Sequence, residues 1–350
     1  MSAARAALLA AVAAVFSGCA QDPQPVREEL LVFGSPATIE VLAADRAHGR
    51  AAIAAVARRL ELREREWHPW RDSALTRINA ALADGRAAPA PASVLRLLEH
   101  SRGLHRASDG LFDPAIGSLV ALWGFHTGDF PITSAAPDSA AIDRWLESRP
   151  TLDALWVESG RVGSDRRDIA LDFNAIAEGA ACAEAHRVLA ANGIVHALVT
   201  LGGDLCARGR ARGRPWRAAL RDPFGEVLGV VELADGEALF SSGDYHKYRP
   251  QPDGARWPHV LDPRTGMPAR GAAAVVVLGR DPVLADAAAT TLLVGGSERF
   301  ASLTDAMGVR CAFLLTTEDR LLITRSLHRR IRWHRQPRLL AAPIAASGSC

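Results

Sequence analysis

Ile169-Ala-Leu-Asp172-Phe-Asn174-Ala-Ile-Ala-Glu178-Gly179 runs on through Ala191 to Asn192-Gly193, Val195–Leu201 and Gly202-Gly203-Asp204. The apolar Ile169–Leu171 reads as a strand. Ala175–Ala191 reads as a helix stopped by Asn192-Gly193, and Val195–Leu201 as a second strand closed by a Gly-Gly turn. This strand–helix–strand unit calls for a sheet with a helix on its face. Its strand–helix joint can be read in two ways. Asp172 or Asn174 caps a helix, or the unpaired N–H groups of that helix end receive a phosphate. Gly202-Gly203 likewise serves a tight turn or lets a ligand approach the backbone.

Similar units lie on both sides. Thr38–Leu42 reads as a strand. Ala47–Trp67 reads as an amphipathic helix through Ile53, Val56, Leu60 and Trp67, and Ser73 as the N-cap of a helix through Leu82. Further helices are expected at Pro91–Ala107 and Asp138–Glu147, and a strand at Leu152–Val157. Short strands dominate from Leu201 to Leu278, with turns at Asp222-Pro223, Asp235-Gly236 and Asp253-Gly254. A helix over Asp286–Val294 ends at Gly295-Gly296, and strands follow at Ala312–Leu315 and Leu321–Thr324. The expected fold is α+β: one large domain with a central mixed sheet flanked by helices.

Composition narrows the function classes. The chain has 350 residues, 49% hydrophobic and 23% charged, with a formal net charge of +2. These are globular values, and the bulk charge does not point to a polyanion binder. Five cysteines are too few for a disulfide scaffold, and sequence alone does not pair Cys182, Cys206, Cys311 and Cys350. Of the 41 basic residues, Lys247 is the single lysine.

The first residues read as an address. Arg5 precedes the apolar run Ala6–Phe16, too short to span a bilayer but suited to a signal peptide. Phe16-Ser17-Gly18-Cys19 is similar to a bacterial lipobox, making 1–18 a lipoprotein signal and Cys19 the acylated residue. An ordinary secretory peptide is the other reading. Residues 19–29 are expected to be a lipidated tether, 30–327 the domain, and 328–350 a basic tail. Six arginines and Trp333 in Arg325–Arg338 suit either a solvated chain end or contact with anionic lipid.

Three other stretches could carry chemistry. Ser241-Ser242-Gly243-Asp244-Tyr245 joins hydroxyls, glycine and a carboxylate, as a ligand loop or a polar turn. His259-Val-Leu-Asp262-Pro263-Arg264-Thr265-Gly266 offers a base or ligand, or a surface turn. Asp286 and Thr290 share a helix face at i and i+4. They are either hard oxygen donors of the kind Mg²⁺ prefers, or a capping Asp and a back-bonded Thr.

The order of these elements resembles the ApbE family, the FAD:protein FMN transferases. Phe33-Gly34-Ser35, Ser73 to Asn79, Phe112-Asp113-Pro114 through Gly117 with Leu122-Trp123-Gly124-Phe125, Leu201 to Asp204, Ser242 to Tyr245, His259 to Gly266 and Asp286 to Thr290 carry it. The resemblance implies Mg²⁺-dependent transfer of the FMN moiety of FAD to a Thr or Ser hydroxyl of an acceptor protein, with release of AMP. It implies FAD contacts from Asn174, Glu178, Gly202, Gly203, Asp204, Ser242, Gly243, Asp244 and Tyr245. It implies Mg²⁺ on Ala177, Asp286 and Thr290, and catalytic roles for His259 and Asp262, the latter fixing either a turn or the histidine. The implied acceptor is a subunit of a membrane redox complex, and no nucleic acid is expected. The implied location is extracytoplasmic, on the periplasmic side, lipid-anchored at the inner membrane, although Ala20 is not the Asp that marks retention there.

Two positions depart from the family pattern. Glu178 stands where the family has Lys, within a segment that has also lost two glycines, and Pro258 replaces a polar residue. Glu178 would repel phosphate or reach a cation. The alternatives are therefore a Mg²⁺-dependent FAD pyrophosphatase giving FMN and AMP, or an FAD-binding lipoprotein without turnover.

Overall fold

Eight strands form one sheet in which every neighbour in space is the next of these strands along the chain. They are β1 (Gln24–Val32), β2 (Ser35–Ala43), β3 (His196–Leu201), β4 (Asp204–Arg208), β5 (Ala238–Gly243), β6 (Ala272–Gly279), β7 (Cys311–Thr316) and β8 (Leu321–Ile323). The computed structural model describes residues 24–223, 225–244, 247–251, 256–335, 338–345 and 350. All seven pairings are antiparallel. The α+β class holds, but the sheet is antiparallel throughout where a mixed one was expected, because the chain reverses direction at each successive strand.

The sheet is covered on both faces. In β6, Val275 and Val277 join the helix-side core, while Ala274, Val276 and Leu278 face a second core. This alternation is the two-residue period of a strand buried on both sides. The helix layer is built from α1 (Arg46–Trp67), α2 (Ala74–Ala83), α3 (Ala92–Ala107), α4 (Gly117–Leu122), α5 (Ser139–Ser148), α6 (Asn174–Ala191) and α7 (Pro282–Ala306). The opposite face carries a three-stranded antiparallel sheet of Trp216–Arg221, Val227–Leu233 and Arg332–Trp333. A small third core around Trp123, Phe125, Ile142, Trp145 and Leu261 lies under the 119–146 segment.

Several boundaries follow from capping. Ser73 caps α2 in a reciprocal box with Thr76, and Asp138 caps α5. Helix α7 starts at Pro282, earlier than expected, because Asp281 caps it through the N–H groups of Val283 and Leu284. It breaks at Gly296, whose φ of 62° leaves the helical region.

Four expectations change. Ile169–Leu171 is not a strand; only Ala170 bridges, to Ile116. Leu152–Ala154 is a 3₁₀ turn and the strand there starts at Leu155. The tether expected through residue 29 ends sooner, because Pro25–Glu29 alternate sides and pair with β2. The expected tail 328–350 is docked: Arg325–Arg330 is helical (α8), Arg332–Trp333 joins the second sheet, and Cys350 is bonded to Cys311. A second disulfide joins Cys182 of α6 to Cys206 of β4. The signal peptide expected over 1–18, the acylation expected at Cys19, the FAD contact expected of Tyr245 and the turn expected at Asp253-Gly254 lie outside the described residues.

Candidate active site

The residues singled out in the sequence converge at one end of the sheet. Gly202-Gly203 turns β3 into β4 with φ of 57° and 111°, and the Gly202 N–H donates to the Pro36 carbonyl at 3.0 Å. This ties the turn to the Phe33-Gly34-Ser35 corner. Asp204 follows, buried, and its Oδ1 accepts from both the N–H and the hydroxyl of Ser241, at 2.8 and 3.1 Å. Ser242, next on β5, lies 3.1 Å from the Thr290 hydroxyl of α7. The SGD strand end, the GGD turn and the α7 face therefore meet.

Helix α6 closes the group from above. Its Gly179 N–H donates to the Asp286 carboxylate at 2.8 Å. The Glu178 carboxylate lies over Gly202, where a β-carbon would come within 3.0 and 3.1 Å of its two oxygens. Three carboxylates thus share one region. Burial pushes Asp286 well above the usual carboxylate range, Glu178 adds to the shift, and the N–H groups of Gly179 and Glu178 oppose it. Burial likewise raises Asp204, followed by the charges of Glu178 and Asp286. Asp244 is raised by burial as well. Among the described residues no basic side chain offsets Asp286.

The entry to α6 is held by residues whose part the sequence did not reveal. Asn79 clamps the backbone of Leu171, accepting its N–H at 2.8 Å and donating to its carbonyl at 2.9 Å. The Asp172 Oδ1 accepts from the Asn174 N–H at 2.8 Å, and its Oδ2 lies 3.1 Å from His126 Nε2. Asn174 itself is exposed at the first position of the helix. Trp70 stacks on His126 at 5.2 Å and meets His68 edge-on at 4.4 Å. Burial, then the Arg71 charge, lowers His68 to about 4, so it is neutral at physiological pH. The only signal for this group in the sequence was a set of polar residues bracketing apolar ones at Ser73–Asn79 and Phe125-His126.

His259 is brought to the same region by a hairpin. Tyr248–Pro250 pairs with Arg256–Pro258, so His259 lies beside Lys247, just beyond the SGDY segment. The His259 N–H donates to the Lys247 carbonyl at 3.0 Å, and its Nδ1 lies 3.2 Å from the same oxygen. A carbonyl only accepts, so that contact puts a proton on Nδ1. Asp262 is tied into the turn that follows it. Its carboxylate is held by the Arg264 guanidinium at 2.7–3.2 Å and by the Arg264 N–H at 2.8 Å, while its carbonyl accepts from Thr265 and Gly266. The same turn is closed by Trp123 Nε1, which donates to the Gly266 carbonyl at 2.8 Å.

Among the described residues no group of three or more His, Cys, Asp or Glu side chains is arranged to hold a metal ion. The oxygen donors here are the buried Asp286 carboxylate and the Thr290 and Ser242 hydroxyls, with the carboxylates of Asp204 and Glu178 beside them. These are hard oxygens, and among the described residues no basic side chain offsets the carboxylates there; both features fit a small divalent cation. Two glycine-bearing segments at this end of the sheet admit close approach of a ligand to the backbone.

Residues 33–313 match the family described as ApbE. The chain is 37% identical over 311 residues to the FAD:protein FMN transferase of Rhodobacter capsulatus, covering 88% of this chain and 59% of that protein. It is 33% identical to the FAD:protein FMN transferase of Klebsiella pneumoniae (strain 342), covering 84% and 87% respectively. Among solved structures, the flavinyl transferase ApbE of Pseudomonas stutzeri superposes with a TM-score of 0.76 at 28% identity, over 89% of this chain and 98% of that one. The flavin transferase ApbE of Vibrio cholerae superposes at 0.77 with 24% identity, over 88% and 99%, a likeness of fold. On the family match over most of its length and these identities, the chain belongs to the ApbE family.

Proposed function

We propose that this chain is an FAD:protein FMN transferase that joins FMN to a Thr or Ser hydroxyl of an acceptor protein and releases AMP. The observation that carries the reading is the meeting of Ser242 with Thr290 and of Gly179 with Asp286 beside the Gly202-Gly203 turn. The acceptor oxygen forms a bond to the FMN phosphorus, the bond from that phosphorus to the bridging oxygen breaks, and AMP leaves with that oxygen. The hydroxyl proton needs an acceptor, and His259 Nε2 is the group assigned to it. Gly202, Gly203, Ser242 and Gly243 leave room for the pyrophosphate to lie against backbone. Asp286, Thr290 and the Ala177 carbonyl are the residues assigned to hold Mg²⁺. A bound Mg²⁺ supplies charge withdrawal at the attacked phosphorus.

Glu178 fits the cation side of this site. It lies among Asp204 and Asp286, the carboxylates a cation would neutralise, and over Gly202. The extracytoplasmic location, acylation of Cys19, inner-membrane attachment and a redox-complex acceptor remain parts of the same proposal. The lipobox-like segment and the family resemblance support them.

The test combines the chain with FAD, Mg²⁺ and an acceptor domain carrying a flavinylation threonine. Fluorescent acceptor after denaturation, with matching AMP, is the expected result. AMP without labelled acceptor would replace transfer with hydrolysis. Bound FAD without AMP would make the chain a flavin-binding protein.

A further inference from the structure

The sheet register puts the flavin site at the end of the sheet opposite Gln24 and Cys350. Gln24 pairs with Ala43, Leu42 with His196 and Ala197 with Arg208, so the start of β1 and the end of β4 share one end of the sheet. Ala238 pairs with Gly279 and Leu278 with Cys311, which adds the end of β6, the start of β7 and, through the disulfide, Cys350. Gly202, Gly203 and Gly243 occupy the opposite end.

The end that holds the termini is basic. Arg46, Arg210, Arg212, Arg214, Arg280 and Arg310 are exposed there, and among the described residues none of the six forms an ion pair. The nearby Asp45, Asp235 and Asp281 are turned onto backbone N–H groups of His48, Gly209 and Val283. Val195, at the same end, is 61% exposed, an apolar side chain beside the arginines. The position of β1 matters too. It begins at Gln24, only Ala20 to Pro23 beyond Cys19, a span of about 14 Å when fully extended. The arginine loop after β4 is three strand spacings away, also about 14 Å. The chain entering the domain and the basic loop therefore face the same way.

We propose that this end of the sheet docks on an anionic phospholipid surface. The 210–214 loop and Arg46 meet headgroup phosphates, Val195 meets the interface, and the flavin site faces away from the bilayer toward acceptor proteins. Only the last clause rests on the flavin reading. Basic residues near such a surface contribute about 1 kcal/mol each, so three arginines shift partition on the order of 100-fold. Salt within the Debye range weakens this attraction.

The test uses the full chain reconstituted on vesicles of phosphatidylcholine alone and of equal parts phosphatidylcholine and phosphatidylglycerol. Hydrogen exchange is read along the chain. Amides of 209–214 are expected to exchange about tenfold more slowly on the anionic vesicles. High salt, or the triple variant Arg210→Glu, Arg212→Glu, Arg214→Glu, removes the difference, while FMN transfer by that variant to a soluble acceptor is unchanged. Equal exchange on both vesicles, or protection centred on Gly202–Asp204, would overturn the proposal. A wild-type chain that shows the protection without transferring FMN would sink the flavin reading and leave the docking standing.

Discussion

Gly179 donates its N–H to Asp286 at 2.8 Å, and a β-carbon on Gly179 would lie 2.9 Å from that of Asp286 and against the Pro282 carbonyl. The close approach of α6 and α7 and the aim of the Asp286 carboxylate are thus one feature. Gly179→Ala is expected to destabilise the fold by about 1–3 kcal/mol through overpacking. It should also lower Mg²⁺-dependent AMP release by misplacing Asp286. Thermal unfolding and AMP release are measured on the same preparation; an unchanged pair of values would show that the helices part without consequence.

Asp286→Asn keeps an oxygen to accept from Gly179 but removes a buried charge. FMN transfer is expected to fall about 10²–10³-fold, the scale for loss of one electrostatic group at a transition state. The metal-free protein should melt no lower than wild type, because Asn replaces a carboxyl that burial already drives toward its neutral form. A stable variant with undiminished AMP release would take the metal away from this residue.

Glu178 is crowded by Asp204 and Asp286 in the absence of a cation. Glu178→Gln is expected to weaken Mg²⁺ binding about tenfold, a modest Coulomb loss at a partly solvated site. Calorimetric titration of the metal reads this directly. Unchanged or tighter Mg²⁺ binding would leave Glu178 outside the cation site and favour repulsion of phosphate.

The helices that flank the site were legible because their caps and apolar spacing are local. Ser73, Asp138 and Asn192-Gly193 each mark a boundary the chain obeys. GGD, SGDY and Asp286/Thr290 were legible as motifs, and the fold brings the described ones together. What escaped was non-local. Nothing in Pro25–Glu29 announces its partner, because a strand at the sheet edge can be polar on alternate residues and still pair. Ile169–Leu171 looked like a strand but is held by the Asn79 side chain, 92 residues away, rather than by a ladder. Cysteine pairing was closed to the sequence for the same reason: it depends on which strand and helix lie side by side.

Asp113 links pH to the segment that braces α6. Its oxygens accept from the N–H groups of Ala115 and Leu152, His105 Nδ1 lies 3.4 Å away, and Asp153 faces the other side of that ring. Burial raises it from 3.8 to about 6, against the pull of the Ala115 N–H and His105. A raised value in the folded state means a stabilising contribution present below 3.8 and lost as pH rises through 6. Asp113→Asn is expected to flatten the decline in urea stability between pH 4 and 6. An equal decline in both proteins would assign the titration to another group. Since the Gly117 N–H donates to Ala170 and the Asp172 N–H to Pro114, the same variant should also loosen the entry to α6.

The Cys311–Cys350 disulfide anchors Cys350 at the end of the sheet opposite the flavin site. The segment it ties down already pairs by backbone, with Leu321 donating to Arg338, Leu340 to Leu321, Arg325 to Ile344 and Ile344 to Ile323. Cys350→Ser is therefore expected to lower stability by about 2–4 kcal/mol, the usual worth of a loop-closing disulfide. AMP release and FMN transfer should be unchanged in Cys350→Ser and in Cys311→Ser, because β7 carries no group of the site. Denaturant unfolding and product assays on both variants check this. A loss of transfer without a loss of stability would mean that the C-terminal segment reaches the site by a route the sheet does not show, and would move the acceptor-binding surface to that end of the molecule.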